Sequence, residues 1–171
     1  MLRLSVAVVA LLSLAACDAV EPELPSRGEF RGTLRGDLDR DLEGDATVSR
    51  FPGFEDRAIT IVSLISLDRS APGRSLGVMG EFDGVGEYTL GLDRLDAASV
   101  TYTDDFGSAG DIEDVWTAIS GAIHVTRFDD DGLGGVVEAE LVQIDSDTGE
   151  ITARTDLEAE FQAVTLDLGR F

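Results

Sequence analysis

Asp145-Ser146-Asp147-Thr148-Gly149-Glu150 sets two carboxylates two residues apart, and Asp129-Asp130-Asp131 sets three in a row. Calcium takes about six to eight oxygen ligands, and clustered Asp side chains in turns supply them. Asp129, Asp131, Asp145 and Asp147 are therefore the candidate metal ligands, with calcium as the ion and no other cofactor expected. The second loop departs from an EF-hand, because its glycine stands at position five rather than six. Both segments also fit the Asp/Gly preference of ordinary hairpin turns. A second candidate group is aromatic. Tyr102, Phe106 and Trp116 lie around an acidic loop that runs from Thr103 to Val115. Rings beside acids suit a sugar-binding platform, and rings of this size equally form cores.

No catalytic set emerges. Nucleophilic catalysis needs a nucleophile, a base and an orienting group within reach of one another. His124 is the only imidazole and Cys17 the only thiol. No Gly-x-Ser-x-Gly elbow is present. Gly132-Leu133-Gly134-Gly135 follows three aspartates and lacks the Lys and Ser/Thr of a phosphate loop, so it reads as turn glycine. Paired carboxylates run glycoside hydrolysis, but 34 acids single out no pair. One cysteine excludes an intrachain disulfide framework and a multi-cysteine metal site. The expectation is a non-enzymatic protein.

Cys17 has a more specific setting. Met1-Leu2-Arg3 is a positive start, and Leu4 to Leu14 is an apolar run of 11 residues. That run is too short to span a bilayer and suits a signal-peptide core. It ends in Leu14-Ala15-Ala16-Cys17, which resembles a bacterial lipobox: an aliphatic residue, two small residues and a cysteine that is lipidated. The expectation is a signal peptide over 1–16, a lipid anchor on Cys17, and an acidic, proline-containing tether over 17–27. The protein would then sit in the cell envelope, held to a membrane without spanning it and facing the periplasm or the cell surface. Asp18 resembles an inner-membrane retention signal of enterobacteria, whereas an acidic stretch after the cysteine resembles a surface-export signal of the Bacteroidota. The two readings choose different membranes.

The rest of the chain must position these groups, and it alternates with period two. Phe30, Gly32, Leu34, Gly36 and Leu38 share one face of a strand. Asp39 to Gly44 is rich in turn residues, and Ala46 and Val48 begin a hairpin partner. Ala58 to Leu67 is apolar on both faces, as a strand covered on both sides would be. Further strands are predicted over Leu76–Phe82, Glu87–Gly91, Ala97–Thr103, Thr117–Phe128, Val136–Ile144, Glu150–Arg154 and Leu157–Leu168, with a helical turn near Trp116. In Thr117–Phe128, Ile119, Ile123 and Val125 fall on one face. Many short strands joined by Gly and Asp turns predict an all-β fold over 28–171: an antiparallel, meander-rich sandwich or barrel of about 8–10 strands. The C-terminal Phe171 lacks the apolar alternation of an outer-membrane barrel signal.

Gly86-Glu87-Tyr88-Thr89-Leu90-Gly91, Ala97 to Tyr102, Ser120 to Thr126, Glu138-Ala139-Glu140-Leu141 and Gly149 to Phe161 together carry a resemblance. The chain resembles small bacterial lipoproteins, of the kind found in the Bacteroidota, that pair a lipobox with a compact β domain. The resemblance implies an envelope location and an all-β fold, and it transfers no catalytic residue. The functional expectation is a binding or envelope-organising domain with a protein or glycan partner. The alternatives are a barrel carrying a small apolar ligand and a carbohydrate-binding or carbohydrate-active module.

Charge sets the environment. The chain has 34 acids against 13 basic residues, all arginine, for a net charge of −21. A surface this negative excludes nucleic acid as a partner. With no lysine and 21 aspartates the composition is halophile-like. Such a charge keeps a protein soluble but destabilises its compact state by self-repulsion. Salt screens that repulsion, with the Debye length falling from about 10 Å at 0.1 M to about 3 Å at 1 M. The melting temperature of the domain from Pro25 onward is expected to rise markedly between about 0.1 and 2 M KCl or NaCl. A flat or falling melting temperature would refute a high-salt habitat. A jump with millimolar calcium alone would point to metal sites in the loops.

Overall fold

The computed structural model describes residues 24–52, 58–66, 73–91, 98–106 and 115–166. Cys17, the apolar run before it and the first part of the tether lie outside the described residues. The strands are β1 (Glu29–Gly36), β2 (Arg40–Pro52), β3 (Ala58–Ser66), β4 (Gly73–Gly80), β5 (Gly86–Thr89), β6 (Ser99–Phe106), β7 (Val115–Asp129), β8 (Gly132–Ile144) and β9 (Ile151–Thr165). Eight of them close an antiparallel ring in the order β1-β2-β3-β4-β6-β7-β8-β9, with β9 pairing back onto β1. The fold is thus all-β, and the choice between sandwich and barrel falls to the barrel. β5 is the extra strand. It pairs with Ala122–Val125 of β7, on the edge where β6 takes Val115–Thr117.

Closure follows from where strands run past their partners. β1 begins opposite Asp45, so the rest of β2 would have a bare edge toward β9. The end of β9 fills it through a short parallel pairing of Thr47 with Val164 and Val48 with Thr165. The ring has two ends. The β1–β2 and β8–β9 turns lie at one; the β7–β8 turn and the entry of the chain at Leu24 lie at the other.

In a barrel, alternate residues of each strand point inward. Phe30, Leu42, Val62, Leu76, Val100, Ile123, Leu141 and Phe161, one from each barrel strand, belong to a single buried cluster. Phe82 and Leu90, from either side of β5, join it. The Phe82 ring meets Tyr88 edge-on at 4.8 Å. The outward positions are polar over most of the ring.

Five local expectations are corrected. Asp39 to Gly44 is not a turn but contains the start of β2, with Leu42 buried between the exposed Asp41 and Glu43. Only the inner face of β3 is covered: Thr60, Val62 and Leu64 are buried, while Ile59, Ile61 and Ile65 are half-exposed. Trp116 lies in strand β7 rather than in a helical turn. Gly132–Gly135 opens β8, because an added Cβ at Gly132 would lie 2.1 Å from the Ala163 carbonyl oxygen and at Gly135 2.4 Å from that of His124. Glu150–Arg154 and Leu157–Leu168 merge into one strand, β9, as far as Thr165.

A bulge between Ala118 and Ser120 resets β7. Trp116 and Ala118 point inward before it, Ile123 and Val125 after it, so Ile119 does not share their face. Gly121 follows at φ +127°, and an added Cβ there would stand 2.1 Å from the Glu138 carbonyl oxygen. Bulges and glycine kinks of this kind let a small barrel bend tightly. Gly121→Ala is expected to lower unfolding free energy by about 1–3 kcal/mol in denaturant titration. Gly84→Ala, with nothing within 4 Å of the added methyl, is expected to be close to neutral. Equal losses would remove the kink as the cause.

Candidate binding wall

The four candidate calcium ligands are split by the fold. Asp129 and Asp131 lie at one end of β8, Asp145 and Asp147 at the other. A strand of 13 residues holds the two pairs on the order of 40 Å apart, so they cannot share an ion. Each turn is satisfied by the protein itself. Asp145 Oδ1 accepts from the Thr148 amide at 2.7 Å, the Thr148 hydroxyl at 2.9 Å and the Asp147 amide at 3.0 Å. These donors, Thr148 first, hold its carboxyl below the usual carboxylate range. At the other turn arginines do the work expected of a metal. Arg27 pairs with Asp131 at 3.1 Å, Arg127 Nε lies 3.7 Å from Asp129, and Arg50 donates to the Asp129 carbonyl at 2.9 Å. Among the described residues no group of three or more metal-ligating side chains gathers.

Two of the three aromatic candidates, Tyr102 and Trp116, face inward. Tyr102 and Trp116 are cross-strand partners on β6 and β7, 0% and 7% exposed. Phe106 closes β6, and its side chain lies outside the described residues. Two buried rings do not form an exposed platform for a sugar. The Tyr102 hydroxyl donates to Asp104 at 2.8 Å, and Asp104 lies between Arg74 at 3.2 Å and Arg40 at 3.4 Å. Burial, then this hydrogen bond, raises the Tyr102 hydroxyl well above its ordinary range. The group therefore ties β2, β4 and β6 together at the β1–β2 end.

The outer face of β1, β9, β8 and β7 carries a different constellation. The ladder aligns Thr33, Glu158, Glu138 and Ala122 in one outward row, and Arg35, Asp156, Glu140 and Ser120 in the next. Glu138 thus stands directly opposite Glu158, and Glu140 opposite Asp156. Two adjoining grooves run along this wall, of about 410 and 320 Å³, sharing Thr33 and Glu158. Arg154 pairs with Glu140, which also accepts from the Ser120 hydroxyl at 3.3 Å. Arg31 donates through Nε and Nη2 to Glu160 at 3.1 and 2.8 Å. His124 lies on the same outer wall, 3.5 Å from Glu87. Chemically the wall suits a positively charged group held by ion pairs.

Sequence reasoning missed this wall. Its only sequence signal is two period-two runs of acids, Glu138-Ala139-Glu140 and Asp156-Leu157-Glu158-Ala159-Glu160. Their juxtaposition depends on a register set by the β8–β9 hairpin.

Comparison with known proteins finds no matching family model, curated protein or solved structure.

Like charges directly opposite on neighbouring strands destabilise a sheet. Glu158→Arg sets a cation against Glu138 and is expected to raise unfolding free energy by about 0.5–1 kcal/mol at low salt. The gain should shrink toward about 1 M KCl as screening removes the repulsion. A loss of stability at low salt would refute repulsion across this pair.

Proposed function

We propose that this chain is a lipid-anchored envelope protein whose barrel acts as a non-enzymatic binding scaffold. The observation that carries the reading is Leu14-Ala15-Ala16-Cys17, where the only thiol of the chain stands at the one position that needs it. The barrel supports the second half. Apolar side chains of all eight ring strands meet in one interior cluster, while the grooves along β1, β9, β8 and β7 open outward among carboxylates. Recognition then belongs to the outer wall, and its charge selects a basic segment of a partner protein.

A carrier of a small apolar ligand is the second reading, favoured by a closed eight-strand ring with an apolar lining. Barrels of this size are filled by their own side chains or hold one small ligand. Native mass spectrometry of the purified protein separates the two, since a carrier would retain a mass adduct.

Metabolic labelling with a palmitate analogue tests the anchor. The wild-type chain is expected to carry label and Cys17→Ser to carry none. Equal label in both would sink the proposal.

A further inference from the structure

Seven large hydrophobic side chains are exposed among the described residues, and five of them (Leu24, Phe51, Met79, Val85 and Leu166) sit toward the β7–β8 end. Three of these join a patch on the outside of the ring. Phe51 pairs across strands with Ile59, Ile61 pairs with Met79, and the Leu166 amide bonds the Val48 carbonyl at 3.1 Å. The surrounding wall is uncharged. No outward position carries a charge from Thr47 to Phe51, Ile59 to Ile65, Ser75 to Met79 or Ser99 to Thr103. That is unexpected in a chain of which 27% is charged. In ring order β3, at the centre of this wall, stands four strands from β8, which carries Glu138 and Glu140. The barrel is therefore amphipathic across its width.

We infer that this apolar shoulder rests on the lipid surface to which Cys17 is anchored, which fixes the orientation of the barrel. The inference rests on the lipoprotein reading and deepens it. Geometry supports lipid as the occupant. The chain enters at the β7–β8 end, where the Gly28 amide bonds Gln162 and Arg27 reaches Asp131. Cys17 lies seven residues before Leu24. At about 3.3–3.6 Å per residue that tether reaches at most about 25 Å, so this end stays close to the bilayer. Asp129–Asp131 lies at the same end, where its carbonyls accept from Arg50 of β2 and from Thr165, next to Leu166. A barrel tilted onto β2, β3 and β4 lowers Phe51 and Met79 into the interface. The groove of Glu138 and Glu158 then faces water, open to a partner.

The test uses the full lipidated chain in phosphatidylcholine vesicles that contain bromolipid. With Cys17 acylated, an introduced cysteine is the only free thiol. Bimane is attached at Met79→Cys, at Phe51→Cys, at Glu138→Cys on the opposite wall and at Ile144→Cys at the opposite end. Bromolipid is expected to quench the labels at 79 and 51 and to leave those at 138 and 144 unaffected. Protein that floats with vesicles but shows equal quenching at all four positions, or none at any, overturns the inference alone. Labels at 51 and 79 that are shielded from water without quenching, together with cross-links between copies, assign the shoulder to a second copy and also overturn it. Protein that carries no lipid mass on Cys17 and does not float overturns both readings.

Discussion

The structure depends on one constraint, the closing of eight strands around a single interior cluster of apolar side chains. The inward positions are then mostly apolar, with Thr60 and Thr155 the buried polar residues among those described, and each must fit its neighbours across the ring. Where strands press closest the chain uses residues with almost no side chain. Gly32 faces Ala159, with an added Cβ only 2.7 Å from that methyl, and Gly44 would meet the Ile65 carbonyl oxygen at 2.3 Å. Tyr102, Phe161 and several leucines are the largest side chains fully buried inside the ring. Among the described residues no charged side chain is fully buried; they stand on the outer face or at the two ends of the ring. The acidic wall and the uncharged wall are both consequences of that division.

The parts of this fold that were legible in the sequence are those where one face is plainly apolar over a whole strand. β1 and the middle of β8 are of this kind. β2 was half hidden because Asp41, Glu43 and Asp45 look like a turn until Leu42 and Ala46 are seen to alternate with them. β7 was misread across Ile119 because a bulge shifts the phase by one residue and periodicity assumes a constant phase. The glycines of β8 looked like a loop because their reason is the approach of other strands, not local turn geometry. Ring closure is a contact between the first strand and the last, and no local pattern encodes it. The acidic wall is likewise a product of register. The separation of Asp129 and Asp131 from Asp145 and Asp147 was legible in the strand predicted over Val136–Ile144, which lies between them.

Arginine has a structural meaning here beyond its charge. Arg50 donates through one nitrogen to the carbonyls of Asp129 and Gly132, at 2.9 and 3.2 Å, while its guanidinium lies 4.7 Å from the centre of the Phe128 ring. Arg127 donates to the Ala163 carbonyl at 2.8 Å. Arg35 donates to the carbonyls of Leu34 and Arg40, both at 2.9 Å, and pairs with Asp41. Arg50 and Arg35 each bind two backbone carbonyls and Arg127 binds one, and each clips a strand end or a turn. An ammonium on a flexible stem offers no planar fork and no stacking face, so lysine would not replace these contacts. The basic residues thus close strand ends as well as offsetting carboxylates.

The distribution of polarity also decides where function can reside. A barrel that crosses a membrane is apolar outside over its full girth, and charges at mid-height on its lipid face are costly. Here Glu138, Glu140, Asp156 and Glu158 lie on the outer face, so this ring is not built to be surrounded by lipid. Among the described residues the sector centred on β3, from Thr47–Phe51 of β2 to Ser99–Thr103 of β6, carries no outward charge. A body with one uncharged side turns that side toward an apolar surface. Its acidic grooves, on the far side of the ring, are then the part left free to meet something else.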